Sequence, residues 1–277
     1  MLLGIVFISC EKIHPKADVP SYIQISSIDL TTNTSSEGSN NNNITDAWVF
    51  IDDNLIGVYE LPATFPVLGK GNHEVMVRAG IKKNGMSSSR VIYPFYDKYS
   101  ITTNLTENEI SAIQPSIQYY SNLQFSLLED FELGTSLEKS GSSDTTLELI
   151  SSFNGVQLDS KCAAIYLDQN KTYFEIATSA SQFSLPLGTP IYLEVSFLCS
   201  SAFSIGVFKN TTLGLEKTNP YITINPTSIW KTIYIDINDA TKSHTNALSF
   251  EIYFAGTIDS ELTESYVLLD NIKLIHN

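Results

Sequence analysis

In Ile191-Tyr192-Leu193-Glu194-Val195-Ser196-Phe197-Leu198-Cys199, the residues Leu193, Val195, Phe197 and Cys199 share one face, opposite Tyr192, Glu194 and Ser196. A period of two residues belongs to a strand with one face against a core. Cys199 accordingly reads as a small buried hydrophobe. Segments of the same kind recur on both sides: Phe125–Leu128, Leu147–Ile150, Ala163–Leu167, Tyr173–Ala177, Phe203–Phe208, Tyr221–Ile224, Trp230–Ile237, Leu248–Phe254 and Tyr266–Ile275. Clusters of Gly, Pro, Asn and Ser separate them. This pattern predicts an all-β fold. About eight to ten strands over residues 123–277 describe a jelly roll or a similar two-sheet sandwich.

The first half has the same character. Ser21 to Leu30 reads as a strand, and the polar run Thr31 to Asn43, ending in four asparagines, as a long flexible loop. Ala47-Trp48-Val49-Phe50-Ile51 and Leu55-Ile56-Gly57-Val58-Tyr59 flank Asp52-Asp53-Asn54, residues that tolerate left-handed backbone, so a hairpin is expected. His73 to Arg78 forms a further strand, and Tyr93-Pro94-Phe95-Tyr96 with Tyr99 reads as core packing. A helical turn or two is expected over Thr106 to Ser116, with Thr106 as its cap and Pro115 as its stop.

At 277 residues the chain exceeds the common domain size of roughly 100 to 150 residues, which suggests two domains meeting between Gln118 and Leu123. With 43% hydrophobic residues, 14 Tyr and 14 Phe, both halves have material for a packed core. Sixteen Lys and Arg against thirty Asp and Glu give a net charge of −14, which would repel a phosphate backbone. Nucleic-acid binding is thereby disfavoured. Of three cysteines, Cys162 and Cys199 allow a disulfide in an oxidising compartment without requiring one.

The run Met1 to Ser9 carries no charge and ends on Cys10. It resembles a bacterial lipoprotein signal, whose cysteine is acylated and becomes the mature N-terminus. The run is shorter than the roughly 20 apolar residues of a membrane span, so attachment is expected through acyl chains on Cys10. Residues 1–10 are then the signal. Residues 11–20, with Glu11, Lys12, His14, Lys16 and Asp18 and prolines at 15 and 20, form a tether. The resemblance implies an outer-membrane protein, lipid-anchored and facing the cell surface or periplasm.

Two further resemblances concern the folded body. Trp48 to Val77, with Gly57…Pro62 and Gly71-Asn72-His73, resembles the small sandwich repeats named for a Pro-Glu-Gly-Ala motif and the carboxypeptidase-regulatory-like domains. It implies an Ig-like β-sandwich over residues 21–118. Phe131-Glu132-Leu133-Gly134 and Leu269-Asp270-Asn271-Ile272 resemble the opening and closing bookends of jelly-roll carbohydrate-binding modules and their galactose-binding-like relatives, over residues 123–277. There the bookends lie on neighbouring strands, and their acids commonly hold a structural calcium ion. The resemblance makes Glu132 and Asp270, with Asp130 third, the expected ligands of Ca²⁺, a cation that takes six to eight oxygens.

Sugar binding needs exposed aromatic faces beside polar groups. Tyr192, Trp230, Tyr234 and Tyr253 lie out of phase with the aliphatic faces of their strands and could form such a platform. Catalysis finds little support, since no Gly-x-Ser-x-Gly, His-Glu-x-x-His or Walker-type loop is present and His14, His73, His244 and His276 are scattered. The leading expectation is a non-catalytic, membrane-anchored lipoprotein whose jelly roll captures polysaccharide. The alternative is an accessory subunit that docks an outer-membrane protein partner in an export or adhesion assembly.

Overall fold

The computed structural model describes residues 18–179 and 182–277. Cys10, the signal reading and residues 11–17 of the tether lie outside the described residues. The fold is all-β, with two short helices among the described residues, Thr34–Glu37 and Asn238–Ser243. No helix among them is long and apolar enough to cross a membrane.

In the N-terminal module the hairpin Asp46–Ile51/Asn54–Glu60 continues through Gly71–Lys82, which pairs with both Arg90–Ile92 and Lys98–Leu105. Asp52 and Asp53 form its two-residue turn at φ 48° and 65°, the left-handed conformations that a right-twisted hairpin needs. A three-stranded sheet, Ala63–Val67, Ser21–Ile25 and Ile110–Ile113, lies against it, and Ile23, Ile25, Val49, Phe65, Val75 and Val77 share one core between the two.

In the C-terminal module two six-stranded antiparallel sheets face each other. The first runs Leu147–Phe153, Val156–Asp168, Glu264–His276, Ile191–Cys199 and Thr227–Asp236, with Gln124–Glu129 also pairing to Glu264–His276. The second runs Glu138–Lys139, Tyr173–Ala177, Ser249–Thr257, Phe203–Thr211 and Gly214–Lys217, with Ile222–Ile224 on Phe203–Thr211. Leu193, Val195, Phe197 and Cys199 point between the sheets, where Ile205, Val207, Ile252 and Phe254 meet them.

Two local expectations change, and the reading of Cys199 as a small buried hydrophobe holds. Thr106 to Ser116 is not helical: Ile110–Ile113 is a strand running parallel to Ser21–Ile25. A segment this short is marginal as a helix, and strand pairing satisfies its backbone instead. The Thr31 to Asn43 loop is no free linker. Asn33 caps the Thr34–Glu37 turn by accepting from the Ser35 amide at 3.2 Å, and the following residues dock on the C-terminal module. Cys162 and Cys199 are both free and buried, facing opposite sides of one sheet, and burial pushes their thiols up to about 12 and about 11.

Candidate functional site

Strand periodicity gives the first sheet of the C-terminal module an outward face, and two structures cover its ends. At one end the N-terminal module covers Tyr192, Glu194, Tyr234 and Ile275. At the other, the hairpin Leu147–Phe153/Val156–Asp168 covers Cys162, Ala164 and Leu198 through Ile150, Phe153 and Leu158. Between them an open groove of about 1610 Å³ crosses the sheet. Ser196 and Thr232 are on its floor, their hydroxyls 2.9 Å apart, beside Ser160 and Asp270.

Of the four aromatics expected as a platform, Trp230 alone keeps an open face, at 38% exposure in the groove wall. The reading is corrected for the other three. Tyr192 and Tyr234 are covered because Tyr93 packs on both, with ring centroids at 5.1 and 4.9 Å. The Tyr234 hydroxyl also takes the Asn43 amide at 3.0 Å and lies 3.2 Å from the Tyr96 hydroxyl. Tyr253 is on the outer face of the second sheet, far from the groove in topology, its ring beneath Lys217 and its hydroxyl bonded to the Thr218 carbonyl at 2.9 Å. A fully buried ring has no face to offer a ligand.

The strand that leads into the opening bookend, Gln124–Glu129, pairs beside the closing one, Glu129 opposite Ile272, while Phe131–Gly134 themselves form a loop beyond its end. Asp130, Glu132 and Asp270 all reach the same groove wall. Part of their bonding capacity is already spent, on one oxygen each of Glu132 and Asp130 and on both of Asp270. Glu132 accepts the Lys161 amide at 2.6 Å, Asp130 the Glu132 amide at 3.1 Å, and Asp270 takes the Asn271 amide at 2.7 Å and the Ser160 hydroxyl at 3.2 Å. Among the described residues no three His, Cys, Asp or Glu side chains converge as a ligand set. Burial pushes the Asp270 carboxyl up to about 6, against the pull of the Asn271 amide and Ser160, and Glu132 and Asp130 add to the rise.

Glu129, which the sequence reading passed over, is the organiser of this corner. Its carboxylate accepts from the backbone of Phe131 and Ser136 and from the hydroxyls of Thr135 and Ser136 at 2.7 to 3.3 Å, holding the loop in which Phe131 takes φ 60°. The polar signal was an acid buried at the end of an alternating strand, and sequence alone does not distinguish it from the exposed Asp130 next to it.

A second missed feature is buried where the N-terminal module packs on the sheet. Glu194, 1% exposed, accepts from the hydroxyls of Tyr93 at 2.6 Å and Tyr119 at 2.9 Å. Lys273 reaches the Tyr119 hydroxyl at 3.3 Å and the Ser39 carbonyl at 2.6 Å. Burial raises the Glu194 carboxyl, with Lys273 and the two tyrosines opposing; burial likewise lowers the Lys273 ammonium, with Glu194 opposing. The hydrogen-bonded chain Lys273–Tyr119–Glu194 keeps both groups satisfied at an otherwise aromatic interface.

No protein-family model matches the chain, and no curated protein does. Among solved structures, family 29 carbohydrate-binding modules are similar to it. One has 15% identity and a TM-score of 0.35 over 56% of this chain and 87% of that one. A variant complexed with mannohexaose has 16% and 0.35, over 56% and 92%. A variant complexed with cellulohexaose has 16% and 0.34, over 56% and 89%.

Proposed function

We infer that this chain is a non-catalytic glycan-binding protein, anchored to a bacterial outer membrane through acyl chains on Cys10 and capturing polysaccharide in the groove. The carrying observation is the groove itself: an open trough with an exposed indole, Trp230, on one wall and hydroxyl, amide and carboxylate groups around it. An indole face takes the C–H side of a pyranose, and the polar groups take its hydroxyls. The trough is open along the sheet, which suits a chain more than a single sugar. A binding role fits its acids better than hydrolysis, because Asp270 spends both carboxylate oxygens on the Asn271 amide and Ser160, and Glu132 one of its own on the Lys161 amide.

The test is titration of the full chain with soluble polysaccharides, alongside a Trp230→Ala variant. We expect saturable binding by the parent chain, loss of at least tenfold in the variant, and no release of reducing ends. A stacked aromatic lost from a binding site commonly costs more than about 1.4 kcal/mol, a factor of ten. Equal binding by parent and variant would place the ligand elsewhere.

A further inference from the structure

One wall of the groove comes from the N-terminal module, where the asparagine run and the turn after Lys82 line it. This wall is fixed at several points. The Ser39 carbonyl accepts from Lys273 at 2.6 Å, the Asn43 side-chain amide donates to the Thr232 carbonyl at 2.9 Å, and the Asn84 amide donates to the Tyr234 carbonyl at 2.8 Å. Asn84 also accepts from the Asp236 amide at 2.8 Å. Two of these contacts fix the run and two the turn at Asn84, which makes the run a wall and not a tether.

Within it the side chains divide. Asn42 spends its amide on the loop itself, donating to the Asn40 carbonyl at 3.0 Å and accepting from the Ile44 amide at 3.2 Å. Asn43 is spent on Thr232. Asn41 is exposed, lines the groove, and contributes only its backbone amide to the loop, through Ser39; its side chain makes no hydrogen bond among the described residues. A primary amide offers two donors and an acceptor, the complement of adjacent sugar hydroxyls.

Charge narrows the ligand further. Asp130, Glu132, Asp159 and Asp270 line the groove against Lys82 and Lys231, and Lys82 is paired with Glu60 at 3.3 Å. On a chain of net charge −14, that lining repels uronate or sulfate groups.

Resting on the glycan-binding reading above, we propose that the groove is a composite site that takes an uncharged polysaccharide chain between the two modules, with Asn41 as its specificity-determining contact from the N-terminal side. Neither module alone is the binding unit.

The full chain is titrated with neutral polymers, namely a galactomannan, a xyloglucan and an α-glucan, and with polygalacturonate, comparing the parent with Asn41→Ala and Trp230→Ala. Asn41 is solvent-facing and its side chain is unengaged, so Asn41→Ala keeps the parent's unfolding temperature. We expect a neutral polymer to bind, polygalacturonate not to, and Asn41→Ala to weaken binding by about three- to tenfold, the range of one hydrogen bond. Loss of neutral-polymer binding in Trp230→Ala with none in Asn41→Ala overturns the composite site while leaving the glycan reading in place. Tighter binding of polygalacturonate than of any neutral polymer overturns the uncharged ligand. Failure of every polymer to bind overturns the glycan reading, and this inference with it.

Discussion

Asp270 in the groove wall holds a proton at pH values where an ordinary aspartate has lost it, because burial raises its carboxyl from 3.8 to about 6. For a raised carboxyl the stabilisation is complete below the unfolded value, near 3.8, and is lost as pH rises through about 6. Asp270→Asn cannot ionise. We expect it to match the parent's stability at pH 4 and to exceed it above pH 7, by up to about 3 kcal/mol at full ionisation. Thermal melts across that range check it, and equal differences at both ends would show that Asp270 is not desolvated. The same melts with excess chelator should not move, since no three acids converge as a ligand set among the described residues and Asp270 has both oxygens engaged by Asn271 and Ser160. At this scale sequence was least informative. It placed Asp130, Glu132 and Asp270 at one corner through the paired bookends, but whether an acid faces an ion, a backbone amide or water depends on loop geometry, and Glu129, buried beside them, was invisible.

The hairpin turn Asp52-Asp53 gives two opposite expectations from adjacent residues of one type. Asp53 has φ 65°, a conformation that costs a residue with a Cβ, and its side chain is exposed. Asp53→Gly should raise the unfolding temperature by about 1–3 °C. Asp52 instead accepts His73 at 2.7 Å and the Glu74 amide at 3.1 Å. The hydrogen bond between them lowers the Asp52 carboxyl and raises the His73 imidazole. The lowered acid contributes above about 3.8 and fails as pH falls below its own value; the raised base contributes below about 6.5 and fails as pH rises past its own. Asp52→Gly should therefore destabilise most between pH 4 and 6.5, and a pH-independent loss would show the ion pair to be idle. Elements such as this hairpin were legible because turn chemistry and alternation are local. Ile110–Ile113 was not, since its strand state depends on pairing with Ser21–Ile25, nearly ninety residues away. Alternation also sorted Tyr192, Trp230 and Tyr234 correctly to the outward face, yet periodicity says nothing of what covers a face, and the N-terminal module covers all but Trp230.

Over the whole molecule, the core of the N-terminal module includes Tyr192, Tyr234 and Ile275 from the C-terminal one. Tyr93 is the keystone of the joint, packing on Tyr96, Tyr192 and Tyr234 and donating to Glu194. Shared burial couples the two unfolding reactions, so calorimetry of the parent should give a single transition. Tyr93→Ala removes a large ring and leaves Glu194 short of a donor, a loss of about 3–5 kcal/mol. We expect it to split that transition in two. A single transition in both proteins would mean that the modules are held together elsewhere, for instance through Lys83, which bridges to Tyr234 and pairs with Asp236 at 3.5 Å. The division of the aromatics has an optical consequence as well. The chain has two tryptophans, Trp48 packed over Gly80 in the N-terminal sheet and Trp230 open in the groove. Emission from a Trp48→Phe chain therefore comes from one indole at the mouth of the trough, red-shifted in water and moving to shorter wavelength when anything dry settles on it, so occupancy can be followed by fluorescence without a label.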